Sequence, residues 1–247
     1  MSQKEQTTDN GPAVINVSSV SKAFTSRSVL DKIDLEVNKT QSVCLCGANG
    51  VGKSTLLRII AGLLEPDAGS IELGGYDLRS HPDKAGLQLG VVLHKSMVYP
   101  ELTVRENLLF FANLYGLKDV RARVEELLED VGLTAYRYDR AEILSRGLLQ
   151  RLAIARALVH RPVILLADEP FTGLDAEAGR HLVDVLNHFT DNGGSVVMTT
   201  HDVRTGLRCC NRVVVLDQRR VIFDEMTNNL DLSDFAQDYL SYARSKN

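Results

Sequence analysis

From Val14 the chain reads VINVSSVSKAF, with apolar residues spaced as in a strand, and a turn follows near Thr25–Ser28. Val29–Val37 alternates apolar and polar positions, the pattern of a half-exposed antiparallel strand. Ser42–Cys46 is a short continuous apolar run, the kind buried on both faces of a parallel sheet. A glycine-rich turn comes next, then a helix over Lys53–Ala61 that Gly62 ends. Pro66, Gly69, Gly74 and Gly75 punctuate a hairpin-like stretch, and Leu89–Leu93 predicts a further strand. The period then changes. Val104–Tyr115, Val120–Val131 and Gly147–His160 carry helical spacing, so 95–160 reads as a helical insertion between strands. The α/β rhythm returns with strands at Val163–Ala167, Ser195–Thr199 and Val213–Leu216, and helices at Ala176–Thr190 and Val203–Cys209. Residues 1–12 read as a disordered tail, and 225–247 as a polar extension with a peripheral helix. The expectation is an α/β domain over 13–224, with a mostly parallel core, an antiparallel β part and a helical part.

Composition narrows the class. A chain of 247 residues, 44% hydrophobic and 24% charged, is an ordinary globular protein rather than a disordered one. Its net charge of -4 carries no basic stripe, so no nucleic-acid partner is expected. No apolar run reaches the roughly 18–20 residues that span a bilayer. The opening MSQKEQTTDNGP is polar and lacks the apolar stretch of a signal peptide, which points to the cytoplasm. Cys44, Cys46, Cys209 and Cys210 lack the spacing of a zinc site and read as buried, inert thiols.

The chemistry starts at Gly47-Ala48-Asn49-Gly50-Val51-Gly52-Lys53-Ser54, a full match to G-x-x-x-x-G-K-[ST] between an apolar strand and a helix. Glycines let the backbone approach phosphates closely. Successive N–H groups form an anion nest, and the following helix aims its positive end at the same place. Lys53 supplies a point charge for the β- and γ-phosphates, Ser54 a hydroxyl for Mg²⁺, and Thr55 a contact to the α-phosphate. This predicts nucleotide binding.

A second site component follows the strand Val163–Ala167. Asp168-Glu169 puts two carboxylates at the C-terminal end of a buried strand, where ligands bind in doubly wound sheets. Carboxylates are rarely buried unpaired, so the pair needs a partner such as a cation. Asp168 is expected to hold Mg²⁺ and Glu169 to polarise the attacking water.

The run LSRGLLQRLAIARALVHRPVILLADEPFTGLD, from Leu144 to Asp175, resembles the ABC (ATP-binding cassette) ATPase family, and the likeness extends over about 14–224. Leu144-Ser145-Arg146-Gly147-Leu148 takes the place of the family signature LSGGQ. Ser145 and Gly147 match it; Arg146 and Leu148 do not. Gly173-Leu174-Asp175 is similar to the D-loop, Thr200-His201 to the switch histidine, and Phe24 stands where an aromatic stacks on adenine. The resemblance implies a P-loop NTPase fold, Mg²⁺-dependent ATP hydrolysis, and two cassettes packed head to tail. That dimer is of like chains or pairs the chain with a related ATPase subunit. Each ATP then lies between the Gly47–Thr55 loop of one subunit and the Ser145–Gly147 turn of the other, with Asp175 at the interface. His201 stabilises the γ-phosphate. Transmembrane permease subunits dock on the helical region, and the chain sits on the cytoplasmic face of the inner membrane. Ser145 read on its own is also a good helix N-cap.

One departure stands out. Where the family places a glutamine after the strand Leu89–Leu93, this chain has His94. Mg²⁺ prefers hard oxygen ligands, so His94 is expected to contact water or phosphate, with a charge that varies near neutral pH. Together with the Ser/Gly signature, this histidine resembles the CcmA-like ATPases of haem exporters in cytochrome c maturation. The sequence thus reads as the ATPase of an exporter. A soluble ABC ATPase of translation or DNA repair is the alternative, without the second cassette, coiled coil or zinc insertion of those types.

Overall fold

The computed structural model describes residues 12–25, 27–93, 96–200 and 203–245. Two sheets organise it. The first is antiparallel, ordered β2-β1-β4-β5: β1 is Ala13–Phe24, β2 Arg27–Asn38, β4 Ala68–Leu73 and β5 Tyr76–Asp77. The second is ordered β10-β9-β3-β8-β7-β6. Its members are β3 (Ser42–Cys46), β6 (Leu89–Val92), β7 (Ile164–Asp168), β8 (Ser195–Thr199), β9 (Arg212–Asp217) and β10 (Arg220–Met226). Five of these strands run parallel, and only β10 pairs antiparallel, with β9.

The continuous apolar runs are central strands because both faces are covered. Every residue of β3, β7 and β8 is buried. Alternate side chains feed two separate cores, as the period of two requires. Val43, Leu45, Ile164 and Leu166 join the antiparallel sheet and helix α1 (Lys53–Ile60). Cys44, Cys46, Leu165 and Ala167 face the remaining helices. Those are α3 (Val104–Leu114), α4 (Val120–Asp130), α5 (Arg146–Leu158), α6 (Ala176–Asp191), α7 (Val203–Cys209) and α8 (Leu232–Ser245). A single-turn helix α2 (Pro82–Gly86) precedes β6. All four cysteines are buried free thiols, and burial pushes the Cys210 thiol well above its ordinary range.

The helical stretch is locally well specified. Thr103 accepts from the Glu106 N–H while Glu106 returns a bond to the Thr103 N–H, a reciprocal cap that starts α3. Asn107, fully buried, then ties the preceding loop down: its amide donates to the Tyr99, Leu102 and Thr103 carbonyls and accepts from the Tyr99 N–H.

Two differences from the sequence expectation carry reasons. β10 extends the sheet through Arg220–Met226, across the expected domain end at 224. It follows a two-residue turn, Gln218-Arg219, with both residues at positive φ of 46° and 71°. Such turns normally announce themselves with Asn or Gly, and this one does not. The C-terminal helix also differs from a peripheral one, because Ala236 and Tyr239 lie in the core.

Candidate functional site

Strand β3 ends at Cys46, and Gly47 begins the turn into α1. Gly52, the residue before the helix, has φ 115°, and a Cβ there would meet the Leu30 side chain at 2.9 Å. Only glycine lets the loop lie this close to the β1–β2 hairpin. That hairpin carries Phe24, 47% exposed, at its tip opposite Arg27, with the Lys22 ammonium 5.8 Å from its ring centroid. Phe24 therefore presents an open aromatic face on the hairpin that packs on the loop.

Lys53 is buried and donates to the Gly47 and Ala48 carbonyls at 2.7 and 3.1 Å. Burial holds its ammonium below the ordinary lysine range, while the charges of Glu169 and Asp168 oppose that shift. The lysine thus sits in a pocket of backbone oxygens beside two carboxylates.

The phosphate loop and the acidic pair meet through one hydroxyl. Ser54 Oγ donates to Asp168 Oδ1 at 2.9 Å. Thr199 Oγ1 donates to the same oxygen at 2.7 Å and accepts from the Glu169 N–H at 2.9 Å. Asp168 and Thr199 are register partners on β7 and β8, so the sheet itself sets this contact. Thr199 is a site residue that sequence reasoning missed. Its signal is a threonine closing a buried strand just before Thr200-His201. Glu169 has φ 54°, a left-handed conformation unusual for glutamate and of the kind found at functional sites. Hard oxygen donors from Ser54 and Asp168 suit Mg²⁺, which takes carboxylate and hydroxyl ligands together with phosphate.

The signature turn is placed elsewhere on the chain. Ser145 is the N-cap of α5, its hydroxyl accepting from the Leu148 N–H at 3.4 Å. Gly147 packs on the start of α6, where a Cβ would stand 2.6 Å from that of Ala178. Asp175 caps α6, accepting from the Glu177 and Ala178 N–H groups at 3.0 and 2.8 Å. Arg146 lies over Gly173, filling the space a side chain there would need. Ser145, Gly147, Gly173 and Asp175 thus form one surface from two helix starts. Arg146 also lines a cleft of about 120 Å³ with Asp168, Glu169 and Thr172. His94 and His201 lie outside the described residues. A cavity of about 430 Å³ lined by Arg123, Arg161 and His188 shares no residue with this site, whereas one of about 550 Å³ is lined by Thr172, Gly173, Asp175 and Thr200.

Comparison with known proteins agrees with this geometry. The ABC transporter family matches residues 30–172. The linearmycin resistance ATP-binding protein LnrL of Bacillus subtilis is 34% identical over 211 residues, 85% of this chain and 68% of the relative. A Nod factor export ATP-binding protein I of Paraburkholderia xenovorans is 36% identical over 231 residues, 92% of this chain and 76% of the relative. A solved ATP-binding cassette, dimeric in a post-hydrolysis state with ADP and phosphate, superposes with a TM-score of 0.78. It is 27% identical, and the match covers 86% of this chain and 98% of that one. A phosphate loop bonded to a carboxylate pair, on this fold and with these relatives, makes the chain a member of the ABC transporter family, the ATP-binding ATPase subunit of a transporter.

Proposed function

We propose that the chain hydrolyses Mg²⁺-ATP between two cassettes and thereby powers export through separate transmembrane subunits. The observation that carries this is the Ser54–Asp168–Thr199–Glu169 chain of hydrogen bonds beside Lys53. It joins a phosphate cradle, a cation-ready carboxylate and a base in one place.

In this reading Gly47, Ala48, Asn49, Gly50, Val51 and Gly52 wrap the phosphates with backbone N–H groups, and Thr55 reaches the α-phosphate. Phe24 stacks on the adenine. Lys53 exchanges its two carbonyl partners for phosphate oxygens, and the negative charge of ATP favours its ammonium form. Ser54 and Asp168 hold Mg²⁺, which when bound neutralises the charge developing on the phosphates. Glu169, held by its backbone bond to Thr199, orients the attacking water. His201 supports the γ-phosphate, and His94 takes the position that the family gives to glutamine. Ser145 and Gly147 close over the nucleotide of a second cassette, and Asp175 lines that interface. Catalysis of this kind is positioning and electrostatics rather than covalent chemistry.

The segment 95–160 supplies the docking side for the membrane subunits. Tyr99, Phe110 and Phe111 form an aromatic cluster with centroids 4.9 to 6.0 Å apart. Met97, Tyr99, Phe110, Leu114 and Tyr115 are exposed there, an apolar group that suits a protein partner. Among the described residues no helix is long and apolar enough to cross a membrane, so transport requires other chains. The chain would then sit at the cytoplasmic face of the membrane. Export as the direction rests on relatives named for Nod factor export and linearmycin resistance. A haem-exporter role is a second reading, favoured by His94 with Ser145 and Gly147.

Capture of the tagged chain from detergent-solubilised membranes, followed by mass spectrometry, tests the proposal. A multi-span membrane protein is the expected companion, and its identity separates haem export from other cargo. Ribosomal or DNA-repair proteins without a membrane partner would overturn it in favour of the soluble class.

A further inference from the structure

Arg146 opens helix α5 at its first position, directly after the Ser145 cap. It is badly placed for the helix itself, because a cation in the first turn faces the positive end of the helix dipole. The fold gives it no counter-ion either. Further along the same helix, Arg151 donates to the Val131 and Gly132 carbonyls and Arg156 to the Val91 carbonyl. Among the described residues, Arg146 gives none of its guanidinium donors to a hydrogen bond or an ion pair. This is so although it lines a cleft of about 120 Å³ together with Asp168 and Glu169.

Gly173 sets the position of this side chain. A Cβ on Gly173 would meet Nη1, Cζ and Nε of Arg146, the last at 2.8 Å, so the guanidinium itself rests on the glycine. Gly173 has φ 73°, a left-handed conformation that favours glycine, so backbone and packing both call for glycine there. Asp175, two residues on, is already engaged by the Glu177 and Ala178 N–H groups and forms no ion pair with Arg146. The surface of Ser145, Gly147, Gly173 and Asp175 thus presents a cation with open donors beside a helix start. A planar guanidinium matches two oxygens of one phosphate, and the N–H groups of a helix start favour the same kind of anion.

We propose that Arg146 is a further catalytic-site cation acting in trans, binding the terminal phosphate of the ATP held by the second cassette, with Gly173 positioning it. This rests on the reading of two cassettes closed around ATP. The family signature has glycine at this position, so the charge is an addition made by this chain. ADP lacks the phosphate that Arg146 meets, so the contact favours closure with ATP and releases it after hydrolysis.

The test uses the full chain with Glu169→Gln, alone and combined with Arg146→Gln or Arg146→Lys. Light scattering over a series of chain concentrations, with saturating Mg²⁺-ATP, reads the dissociation constant of the pair. ATP affinity is read separately, on chains too dilute to pair. Arg146→Gln should weaken pairing about a hundredfold, because each pair loses two charge-assisted contacts of about tenfold each. Separate chains should bind ATP as tightly as before. Arg146→Lys keeps the charge without the fork and should recover part of the pairing. Added salt should weaken pairing more with Arg146 present than in Arg146→Gln. Equal pairing with Arg146 and with Arg146→Gln would overturn the inference and leave the paired cassettes standing. Weaker ATP binding by separate Arg146→Gln chains would place the guanidinium on its own chain's site and overturn the action in trans. Arg146→Lys pairing no better than Arg146→Gln would reduce the role to packing on Gly173, and overturns it too. If Glu169→Gln with Arg146 intact stays a single chain at saturating ATP, the paired-cassette reading fails and takes this inference with it.

Discussion

At the scale of the residue, the account depends on one oxygen and the two hydroxyls that bond it. Asp168 Oδ1 takes bonds from Ser54 and Thr199, and Thr199 also holds the Glu169 backbone. Thr199→Val keeps the shape and removes both bonds. It should lower ATPase turnover about ten- to a hundredfold, the usual effect of losing a group that orients a metal ligand. Steady-state hydrolysis with Mg²⁺ in excess measures this, and wild-type turnover would strip Thr199 of its role. The loop and the acidic pair are legible in the sequence because each is a contiguous string: eight residues from Gly47 and an apolar run ending in Asp168-Glu169. Thr199 is not, because its importance comes from register across the sheet to a residue 31 positions away. Arg146 is visible as a departure from the family signature, but only folding reveals that it lies over Gly173.

At the scale of the element, helix α5 runs from the signature turn toward the exposed aromatic group around Tyr115. Its start caps on Ser145 and packs on α6 through Gly147. Beyond its end, His160 stacks on Tyr115 with centroids 4.0 Å apart, its Nε2 3.0 Å from the Leu89 carbonyl. Burial holds the imidazole below its ordinary value of 6.5. The folded chain therefore binds fewer protons at this site than the unfolded chain does. Linkage then makes stability rise with pH through the window just below 6.5, and fall as the pH drops through it. Denaturant titrations at about pH 7.5 and 5.5 should show lower stability at the acid value. The loss should be smaller in His160→Gln, and an equal loss in both proteins would remove His160 as its source. Elements were legible where period or buried runs were strong: β3, β8 and α7 match their expected spans. β10 escaped because its Gln218-Arg219 turn lacks turn-forming residues. The buried side of α8 escaped because a polar sequence hid the aromatic face formed by Phe235 and Tyr239.

At the scale of the whole molecule, the proposed function gives phosphate to two turns at helix starts far apart in the sequence. One is the Gly47–Thr55 loop beside Asp168, and the other is the Ser145–Gly147 turn packed against the start of α6. A second cassette gives both a use at once, and a solved relative with this fold is a dimer holding ADP and phosphate. ATP favours the closed pair only to the extent that it binds that state better than separated chains. Glu169→Gln tests this most directly, because it should retain nucleotide while removing the group that readies water for hydrolysis. Light scattering on this variant, with and without Mg²⁺-ATP, reads the assembly itself. The account predicts one chain without nucleotide and two chains with it, stable for as long as ATP stays unhydrolysed. A variant that binds ATP yet remains a single chain at saturating nucleotide would contradict the paired-cassette mechanism.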